Sequence, residues 1–320
     1  MTRARVLLLS PIVRDVRPDI DLASTTGELL SAIATCAEVV HEPVATLGDI
    51  ERAVARHRPE IVFNACETIE DRSDGEPLVP QLLERHGVEY TGSTATCLRR
   101  CLGKTQASTT LANGDVPVPE TFAPGVRPSV YPVILKPDAE DGSVGIHAGA
   151  VVHDEESFLR AASATPMPLV AQRYVSGREI ALSLLGWPEP RVLSPGEIAY
   201  DDVVFAGRER ILTYASKWDP SSPDYRGTRS VEALLTPALF KQLSRIALRA
   251  ARILDMRDYG RVDFRVDAAG CPYVIDVNPN CDLSSDGGFM RAATRSGLAC
   301  SDVIATILSG AIERRARRRR

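Results

Sequence analysis

The sequence lacks the features that mark several large classes of protein. No apolar run approaches the roughly 20 residues that a membrane-spanning helix needs. The seven cysteines include no CxxC pair, and no cluster of histidines and cysteines completes a zinc site, so we expect reduced thiols. A net charge of -4 gives no overall field that favours nucleic acid. We therefore expect a cytoplasmic globular protein that binds neither membranes nor nucleic acid.

The first part of the chain has the pattern of a parallel α/β unit. Strand signals at Val6–Leu9, Ile61–Asn64 and Val88–Tyr90 alternate with helical patterns over residues 22–37, 50–58 and 78–86. A dinucleotide-binding Rossmann domain would carry GxGxxG after its first strand, but this chain reads SPIV at residues 10–13. Hydride chemistry at a Rossmann site is therefore disfavoured.

From about residue 94 the pattern changes to short strands, prolines and one long polar loop. We predict strands at 133–136, 148–152, 169–174 and 179–185, a polar loop over 201–229 and a helix over 237–254. Two later strands, 260–266 and 273–277, flank Gly270 and predict an antiparallel hairpin. A helical pattern over 301–312 precedes a basic run, Arg314 to Arg320. Terminal residues are usually poorly ordered, so we expect a solvated helix end rather than a nucleic-acid or lipid contact.

The first candidate site follows the strand that ends at Lys136. The sequence from Lys136 to Ile146 reads KPDAEDGSVGI, in which glycines let backbone N–H groups approach phosphate oxygens beside a lysine charge. It is not a P-loop, because the lysine precedes the glycines. An ordinary hairpin turn with a strand lysine remains the alternative from these residues alone.

The second candidate site lies on the predicted hairpin. Arg261 and Asp263 share one face of their strand, and Asp276 and Asn278 share one face of the next, because side chains alternate along a strand. If the strands pair, two carboxylates and an amide converge beside an arginine, a set that suits Mg²⁺ carrying nucleotide phosphates. The alternative is a set of polar residues on the solvated face of a hairpin.

A third, weaker pattern is Gln172-Arg173-Tyr174-Val175 followed by Glu179. A short strand here could hold adenine through its backbone, with the carboxylate on a ribose hydroxyl, although a simple hairpin is the better interpretation of these residues alone. Taken together and in order, these segments resemble the ATP-grasp superfamily and, within it, the D-alanine–D-alanine ligase family. The resemblance covers about residues 60–300 and rests on Phe63-Asn64, Asp74-Gly75-Glu76, Tyr90-Thr91-Gly92-Ser93, Lys104, Lys136-Pro137 with its glycine loop, Ser216-Lys217-Trp218, Arg261-Val262-Asp263-Phe264 and Asp276-x-Asn278-Pro279.

The resemblance implies an α/β fold that is α+β in its ATP-binding part. This is the ATP-grasp fold with a parallel α/β pre-ATP-grasp domain at residues 1–93. A central subdomain with the glycine loop would cover 94–180, and a subdomain with the metal site and a mobile loop 181–320. It also implies a homodimer.

The same resemblance assigns a role to individual residues. It places ATP on Lys104, Lys136, Glu140, Gly142, Ser143, Val144, Gln172, Arg173, Tyr174, Val175 and Glu179. It implies Mg²⁺, as two ions for which Mn²⁺ can substitute, on Asp263, Asp276 and Asn278. The catalytic residues would be Arg261, Lys217 on the mobile loop, and Ser143. Candidate substrate residues are Trp218, Asn280, Asp282 and Ser284.

The chain departs from the family where the amino-acid substrates would bind. The family's glycine loop commonly reads EGSSVG, and here Gly142 replaces its first serine, while Trp218 replaces a tyrosine. No acidic residue clearly matches the one expected near residues 10–15. The serine–leucine pair expected near Gly287-Gly288 is absent. The ATP-handling residues are thus retained while the substrate pockets differ.

We therefore predict an ATP-dependent, ADP-forming ligase that joins small-molecule carboxylate and amine substrates through an acyl phosphate. An amino-acid or dipeptide ligase of specialised metabolism is the leading interpretation, and a D-alanine–D-alanine ligase of cell-wall synthesis is the alternative. Biotin-carboxylase-like chemistry would normally need a longer chain. A non-catalytic nucleotide sensor is the alternative from another class, which the retained lysines and carboxylates argue against.

Overall fold

The computed structural model describes residues 3–12, 22–140, 142–165 and 167–320. Within those residues the chain forms three β-sheets that follow one another along the sequence. The first sheet is parallel, and the second and third are antiparallel.

The first sheet has the strand order β2-β1-β3-β4 and helices on both faces. Its elements are β1 (Arg5–Pro11), α1 (Leu22–Ala34), β2 (Glu38–Val44), α2 (Leu47–His57), β3 (Ile61–Asn64), α3 (Leu78–Arg85) and β4 (Glu89–Tyr90), with a 3₁₀ turn at Ser73–Gly75. β1 is an almost continuous apolar run because it is covered on both faces. Leu8 packs with Ile33 of α1, whereas Leu7 and Leu9 pack with Ile50 of α2. The predicted parallel α/β unit is confirmed.

The second sheet has the order β5-β8-β6-β7. Its elements, with two preceding helices, are α4 (Ala95–Leu102), α5 (Lys104–Asn113), β5 (Thr121–Phe122), β6 (Val133–Pro137), β7 (Val151–Val152), α6 (Glu155–Ala164) and β8 (Leu169–Arg173). β6 is buried along its whole length, and Val133 and Leu135 pack on Phe158 of α6. Asp154 caps α6 by accepting a hydrogen bond from Ser157 N at 2.8 Å.

The third sheet has the order β12-β11-β9-β13-β14, with β10 beside β9. Its region comprises β9 (Arg178–Leu185), β10 (Arg191–Val192), β11 (Gly196–Tyr200), α7 (Tyr214–Trp218), α8 (Pro223–Arg226), β12 (Thr228–Glu232), α9 (Pro237–Leu254), β13 (Tyr259–Val266), β14 (Pro272–Asn278), α10 (Gly288–Arg295) and α11 (Cys300–Arg318). The predicted hairpin is β13–β14. The segment predicted as a loop over 201–229 also contains α7 and α8.

Helix α9 begins and ends at the predicted residues because its ends carry strong local signals. Thr236 accepts a hydrogen bond from Leu239 N at 3.3 Å, Pro237 occupies the first turn, and Asp255 takes a left-handed conformation at the C-terminal end. The helix packs Leu243 and Ala247 onto β9 and β13.

The division into three domains stays a prediction. The boundary expected between residues 180 and 181 falls inside β9, which belongs wholly to the third sheet. In the described ranges no single helix is long and apolar enough to cross a membrane; α10 and α11 meet that criterion only as a pair, and they are bent by 106° at their break.

Arg314, the first residue of the basic C-terminal run, is buried in an ion cluster that joins α11 to the first and third sheets. Its Nε donates to Glu89 Oε1 at 2.9 Å, and its Nη2 donates to Asp258 Oδ2 and to Tyr90 O, both at 2.8 Å. Asp258 also accepts a hydrogen bond from Gly92 N at 2.8 Å. The expectation of a solvated helix end is therefore wrong for Arg314, because two buried carboxylates hold it inside the protein.

Replacing Arg314 should strongly destabilise the fold. Arg314→Ala leaves Glu89 and Asp258 buried without their cation, and the expected loss is about 3–5 kcal/mol in the free energy of unfolding. Urea unfolding followed by far-UV circular dichroism measures it. The control is Arg319→Ala, an exposed arginine of the same run, which should change the free energy by less than about 0.5 kcal/mol. Equal stability of the two variants would contradict the buried cluster.

Candidate functional site

A cavity of about 1210 Å³ lies where residues from all three sheets meet. Of the residues predicted for ATP, metal, catalysis and substrate, all but Val144 line it. The wall from the first sheet includes Ser10 and Glu76, and the loop after β14 contributes the segment from Asn280 to Gly287. Asp15, in the segment where an acidic residue was expected, lies outside the described residues.

Three of the four lysines in the chain line this cavity: Lys104, Lys136 and Lys217. The ammonium group of Lys136 is buried and donates to Gln172 Oε1 at 3.0 Å. Burial lowers the pKa of Lys136 to about 8; the Asp276 carboxylate opposes the shift and the Lys104 ammonium adds to it. Lys104 Nζ donates to the Glu140 carbonyl oxygen and so contacts the start of the glycine loop.

The backbone of the glycine loop has a conformation that suits anion binding. At Gly145 this conformation requires a glycine. Gly142, Ser143 and Gly145 have φ values of 64°, 64° and 74°, in the left-handed region. A Cβ atom at Gly145 would lie 2.5 Å from Pro137 Cγ, so no side chain fits there. The loop therefore folds back over the end of β6, beside Lys136.

Helix α7 closes over this loop. Trp218 Nε1 donates to the Gly142 carbonyl oxygen at 2.8 Å, and Tyr214 N donates to the Ile146 carbonyl oxygen at 2.9 Å. Thr213 caps α7 by accepting a hydrogen bond from Ser216 N at 3.0 Å. These contacts place the side chain of Lys217 at the cavity.

Lys217 faces the β13–β14 hairpin. Burial lowers the pKa of Lys217, as does the Arg261 guanidinium, while the Asp263 carboxylate opposes the shift. The glycine loop, α7 and the hairpin thus surround one volume with cations from three directions.

The hairpin pairs in the register that the predicted site requires. Asp263 lies opposite Asp276, and Arg261 lies opposite Asn278. Arg261 binds Asp263 through two hydrogen bonds, Nε–Oδ1 at 2.7 Å and Nη2–Oδ2 at 2.9 Å. A register shift follows Asp263, where Ile275 is the extra residue.

The donors on the hairpin fit a hard divalent cation. Among the described residues, no group of three His, Cys, Asp or Glu side chains is placed to hold a metal, and this set has two carboxylates plus the Asn278 amide. Asp263 and Asp276 are directly opposed, which brings their oxygens together on the cavity face. Mg²⁺ prefers one or two carboxylates supplemented by phosphates and water. These residues therefore suit a metal that arrives with a nucleotide.

Glu179 is oriented by two neighbours that the sequence did not suggest. Its Oε2 accepts from Tyr200 Oη at 2.9 Å and from Arg265 Nη2 at 2.7 Å, which leaves Oε1 toward the cavity. Burial and the Glu179 carboxylate raise the pKa of Tyr200, so its hydroxyl remains a donor. Arg265 continues the alternation of Arg261 and Asp263 along β13, and that period-two pattern could have identified it.

Like Trp218, the other three predicted substrate residues form hydrogen bonds within the protein itself. Asn280 is buried; its Oδ1 accepts from Tyr259 Oη, and its Nδ2 donates to Glu76 Oε1, both at 2.5 Å. Ser284 N donates to Asp282 Oδ1 at 2.7 Å, so that carboxylate organises its own turn. The cavity also contains Arg291 and Arg295 of α10, which no sequence motif indicated.

Residues 115–309 match the family model described as the D-ala D-ala ligase C-terminus. That match covers more than half of the chain. The chain belongs to the D-alanine–D-alanine ligase family. It is 28% identical over 306 residues to the protein y4sG of Sinorhizobium fredii, with 89% of this chain and 87% of that protein covered. It is also 28% identical to the D-alanine–D-alanine ligase of Desulforudis audaxviator, covering 89% and 94% of the two chains.

Solved structures agree in fold. The D-alanine–D-alanine ligase of Bacillus anthracis complexed with ATP superposes with a TM-score of 0.77 at 18% identity, covering 99% of this chain and 100% of that one. The VanG D-Ala:D-Ser ligase of Enterococcus faecalis gives a TM-score of 0.72 at 13% identity, covering 97% and 100%. The predicted ATP-grasp fold and the predicted class, an ATP-dependent, ADP-forming ligase that makes C–N bonds, are confirmed.

Nucleotide binding should depend on pH through Lys136. Its lowered pKa leaves the free protein mostly neutral at this site at about pH 9, whereas a bound triphosphate favours the ammonium and raises the pKa again. Affinity for ATP should therefore fall as pH rises through about 8, with proton uptake on binding. Calorimetry in buffers of different ionisation enthalpy measures both quantities.

Two variants distinguish the titration of Lys136 from that of other ionisable groups. Lys136→Met should bind ATP weakly at every pH and take up no proton through this site. Lys241→Met, which changes the exposed lysine of α9, should behave as the unmodified protein does. A proton uptake that persists in Lys136→Met would assign the titration to another group.

Proposed function

We propose that this protein joins a carboxylate to the amine of an amino acid or short peptide, with substrates other than two D-alanines. The observation that carries the proposal is the convergence of cations and metal-type donors in one cavity. Lys104, Lys136, Lys217 and Arg261 line the same volume as Asp263, Asp276 and Asn278. Such a set suits phosphoryl transfer, in which catalysis is mainly positioning and charge neutralisation.

The second sheet and β9 would hold the nucleotide. Lys104 and Lys136 supply charge to the phosphates, and the glycine loop covers them with backbone N–H groups. Residues 172–175, at and just beyond the end of β8, line the cavity and would bind the adenine. Glu179 would accept a ribose hydroxyl on Oε1, since its Oε2 is already held by Tyr200 and Arg265.

The third sheet would hold the metal and the reaction centre. Asp263, Asp276 and Asn278 would bind Mg²⁺, which supplies charge neutralisation for the phosphates when it is bound. Arg261 and Lys217 face the same volume and would stabilise the charge that develops on the transferred phosphoryl group. The Asp263 carboxylate raises the pKa of Arg261, so the guanidinium stays charged and fixed in orientation.

The proposed reaction has two steps. A substrate carboxylate oxygen attacks the γ-phosphorus of ATP, forming an acyl phosphate and releasing ADP. The amine of the second substrate then attacks the acyl carbon, forms the amide, and releases phosphate and a proton. The contacts of α7 with the glycine loop cover one side of the cavity and would shield the acyl phosphate, which hydrolyses readily in water.

The substrate assignment rests on the residues at the substrate end of the cavity that differ from those usual in the family. Gly142 offers no side chain to a substrate, and its carbonyl oxygen is bonded to Trp218 instead. Beyond Asn278 the lining carries Asp282 and Asp286. The relatives named as D-alanine–D-alanine ligases act on D-alanine, and we infer an altered amino-acid pair for this chain. Specialised metabolism is the setting that this proposal favours.

A phosphate-release screen tests the proposal. The protein is incubated with ATP, Mg²⁺ and pairs of amino acids in both configurations, and products are identified by mass spectrometry. The expected result is an amide product with one equivalent of ADP for each bond. Turnover only with D-alanine would assign the cell-wall reaction instead. Nucleotide binding without turnover for any pair would assign a sensor.

Asp276 is the sharpest test of the metal site. Asp276→Asn keeps the volume of the side chain but removes a carboxylate charge, and kcat/KM should fall by at least about 100-fold. The matched control is Asp255→Asn, an exposed aspartate at the end of α9, which should leave activity unchanged. Near-normal turnover in Asp276→Asn at low Mg²⁺ would exclude this residue as a ligand.

A variant of Asp282 tests where the amine-bearing substrate binds. We expect its carboxylate to attract an ammonium or amine-bearing acceptor. Asp282→Asn keeps the volume of the side chain and a carbonyl oxygen for Ser284 N, while it removes the charge and the second oxygen, which accepts from Ser284 Oγ. The acceptor KM should rise about tenfold while the KM for ATP stays constant, because a contacting ion pair of this kind contributes about 1–2 kcal/mol. An unchanged acceptor KM would remove Asp282 from the binding site.

A further inference from the structure

One face of α10 carries two arginines into the cavity. Gly288, Arg291 and Arg295 are spaced i, i+3 and i+7, so they follow one side of the helix, and all three line the cavity together with Ala292. The other side of α10 packs into the core through Phe289, Met290 and Ala293, which fixes the rotation of the helix.

The row of arginines begins at the reaction centre. A Cβ atom at Gly288 would lie 3.5 Å from Arg261 Nη1, so the first turn of α10 touches the guanidinium that binds Asp263. With a rise of about 1.5 Å per residue, the backbone of Arg295 lies roughly 10 Å farther along the helix. The row therefore leads away from the site of bond formation into a separate part of the cavity.

Arg295 ends the row above the third sheet. Its Nη2 lies 3.2 Å from the position that a Cβ atom at Gly196 would take, so the glycine on β11 makes room for the guanidinium. Ser183 of β9 and Ser230 of β12 also line the cavity. This end of the cavity is polar and carries two positive charges from α10.

Neither arginine is held by a hydrogen bond or a close ion pair within the described ranges. No ion pair or hydrogen bond joins Arg291 or Arg295 to a described residue, and the buried Nε of Arg295 has no acceptor. Burial lowers the pKa of Arg295; the Glu232 carboxylate opposes that shift, and Arg291 adds to it. Glu232 itself accepts a hydrogen bond from Ser194 Oγ at 3.2 Å. The Glu232 carboxylate offsets part of the charge of these two guanidinium groups, and a ligand anion would offset it further.

We propose that Arg291 and Arg295 bind a carboxylate that one substrate carries beyond its reacting group. That substrate is an acidic amino acid or a short peptide with a free carboxylate, rather than an alanine-sized molecule. This assignment of substrate class rests on the proposed ligase function. A guanidinium pairs with a planar carboxylate through two parallel hydrogen bonds, and Arg291 and Arg295 each bring such a group to the cavity.

Calorimetry on the protein loaded with Mg²⁺ and AMP-PNP tests the assignment. The probes are alanine, glutamate and alanyl-glutamate in both configurations, with the side-chain amides of the two acidic probes and with O-phosphoserine. At least one acidic probe should bind about tenfold more tightly than its amide. That preference should disappear in Arg295→Gln and weaken in Arg291→Gln, and it should persist in Arg245→Gln, an exposed arginine on α9.

Each outcome decides the assignment. Equal binding of every acid and its amide, or a preference that survives Arg295→Gln in folded protein, overturns it. Binding of O-phosphoserine alone, lost in Arg295→Gln, replaces the carboxylate with a phosphate and also overturns it. Because Arg291 is exposed, Arg291→Gln should fold, and if Arg295→Gln does not fold, an undiminished acidic preference in Arg291→Gln overturns the assignment.

The amide-product assay separates this inference from the proposed function. If neutral amino acids are joined with kinetics that Arg295→Gln does not change, the ligase function stands and the acidic substrate class fails. If an acidic probe binds through Arg295 but no pair of substrates releases ADP, the anion subsite stands and the ligase function fails. If the inference is right, Arg295→Gln raises the KM of the acidic substrate about tenfold and leaves the KM of ATP unchanged.

Discussion

Two carboxylates of the same charge, Asp263 and Asp276, face each other across β13 and β14, and the rest of the cavity is arranged around that unfavourable pair. Arg261 offsets the charge directly by binding Asp263. Lys136 and Lys217 approach from the second sheet and from α7, and both are held in environments that disfavour their own charge. A cation bound to the carboxylates and an anion bound to the lysines would relieve both costs together.

That arrangement depends on contacts between distant parts of the chain. Asn280, just beyond β14, hydrogen-bonds Glu76 of the first sheet, and Arg314 near the C-terminus joins Glu89 to Asp258. Asp258 immediately precedes β13, which carries Arg261 and Asp263. The first sheet therefore helps to set the position of the hairpin as well as forming a wall of the cavity.

The sequence predicted correctly those helices and strands that are determined by residues close together in the chain. β1, β3 and both ends of α9 follow from apolar runs and caps, and the β13–β14 register follows from alternation around Gly270. β2 was missed because it lies at a sheet edge and reads EVVHEPV, with charges and a proline. Arg314 and Arg295 were not identified, because their surroundings come from residues far away in sequence. The ATP-side residues were found through ordered motifs, whereas α10 has no motif that distinguishes its arginines.

The small number of lysines has a consequence for how the protein titrates in alkaline solution. Only four of its 38 basic residues are lysines, and three of them line the cavity. Arginines keep their proton throughout the accessible pH range. Burial lowers the pKa of two of the cavity lysines, Lys136 and Lys217, so both lose their charge inside the cavity at a lower pH than an exposed lysine would, while the surface charge from arginine stays constant. Alkaline conditions would alter the electrostatics of this interior far more than the solubility or surface contacts of the protein.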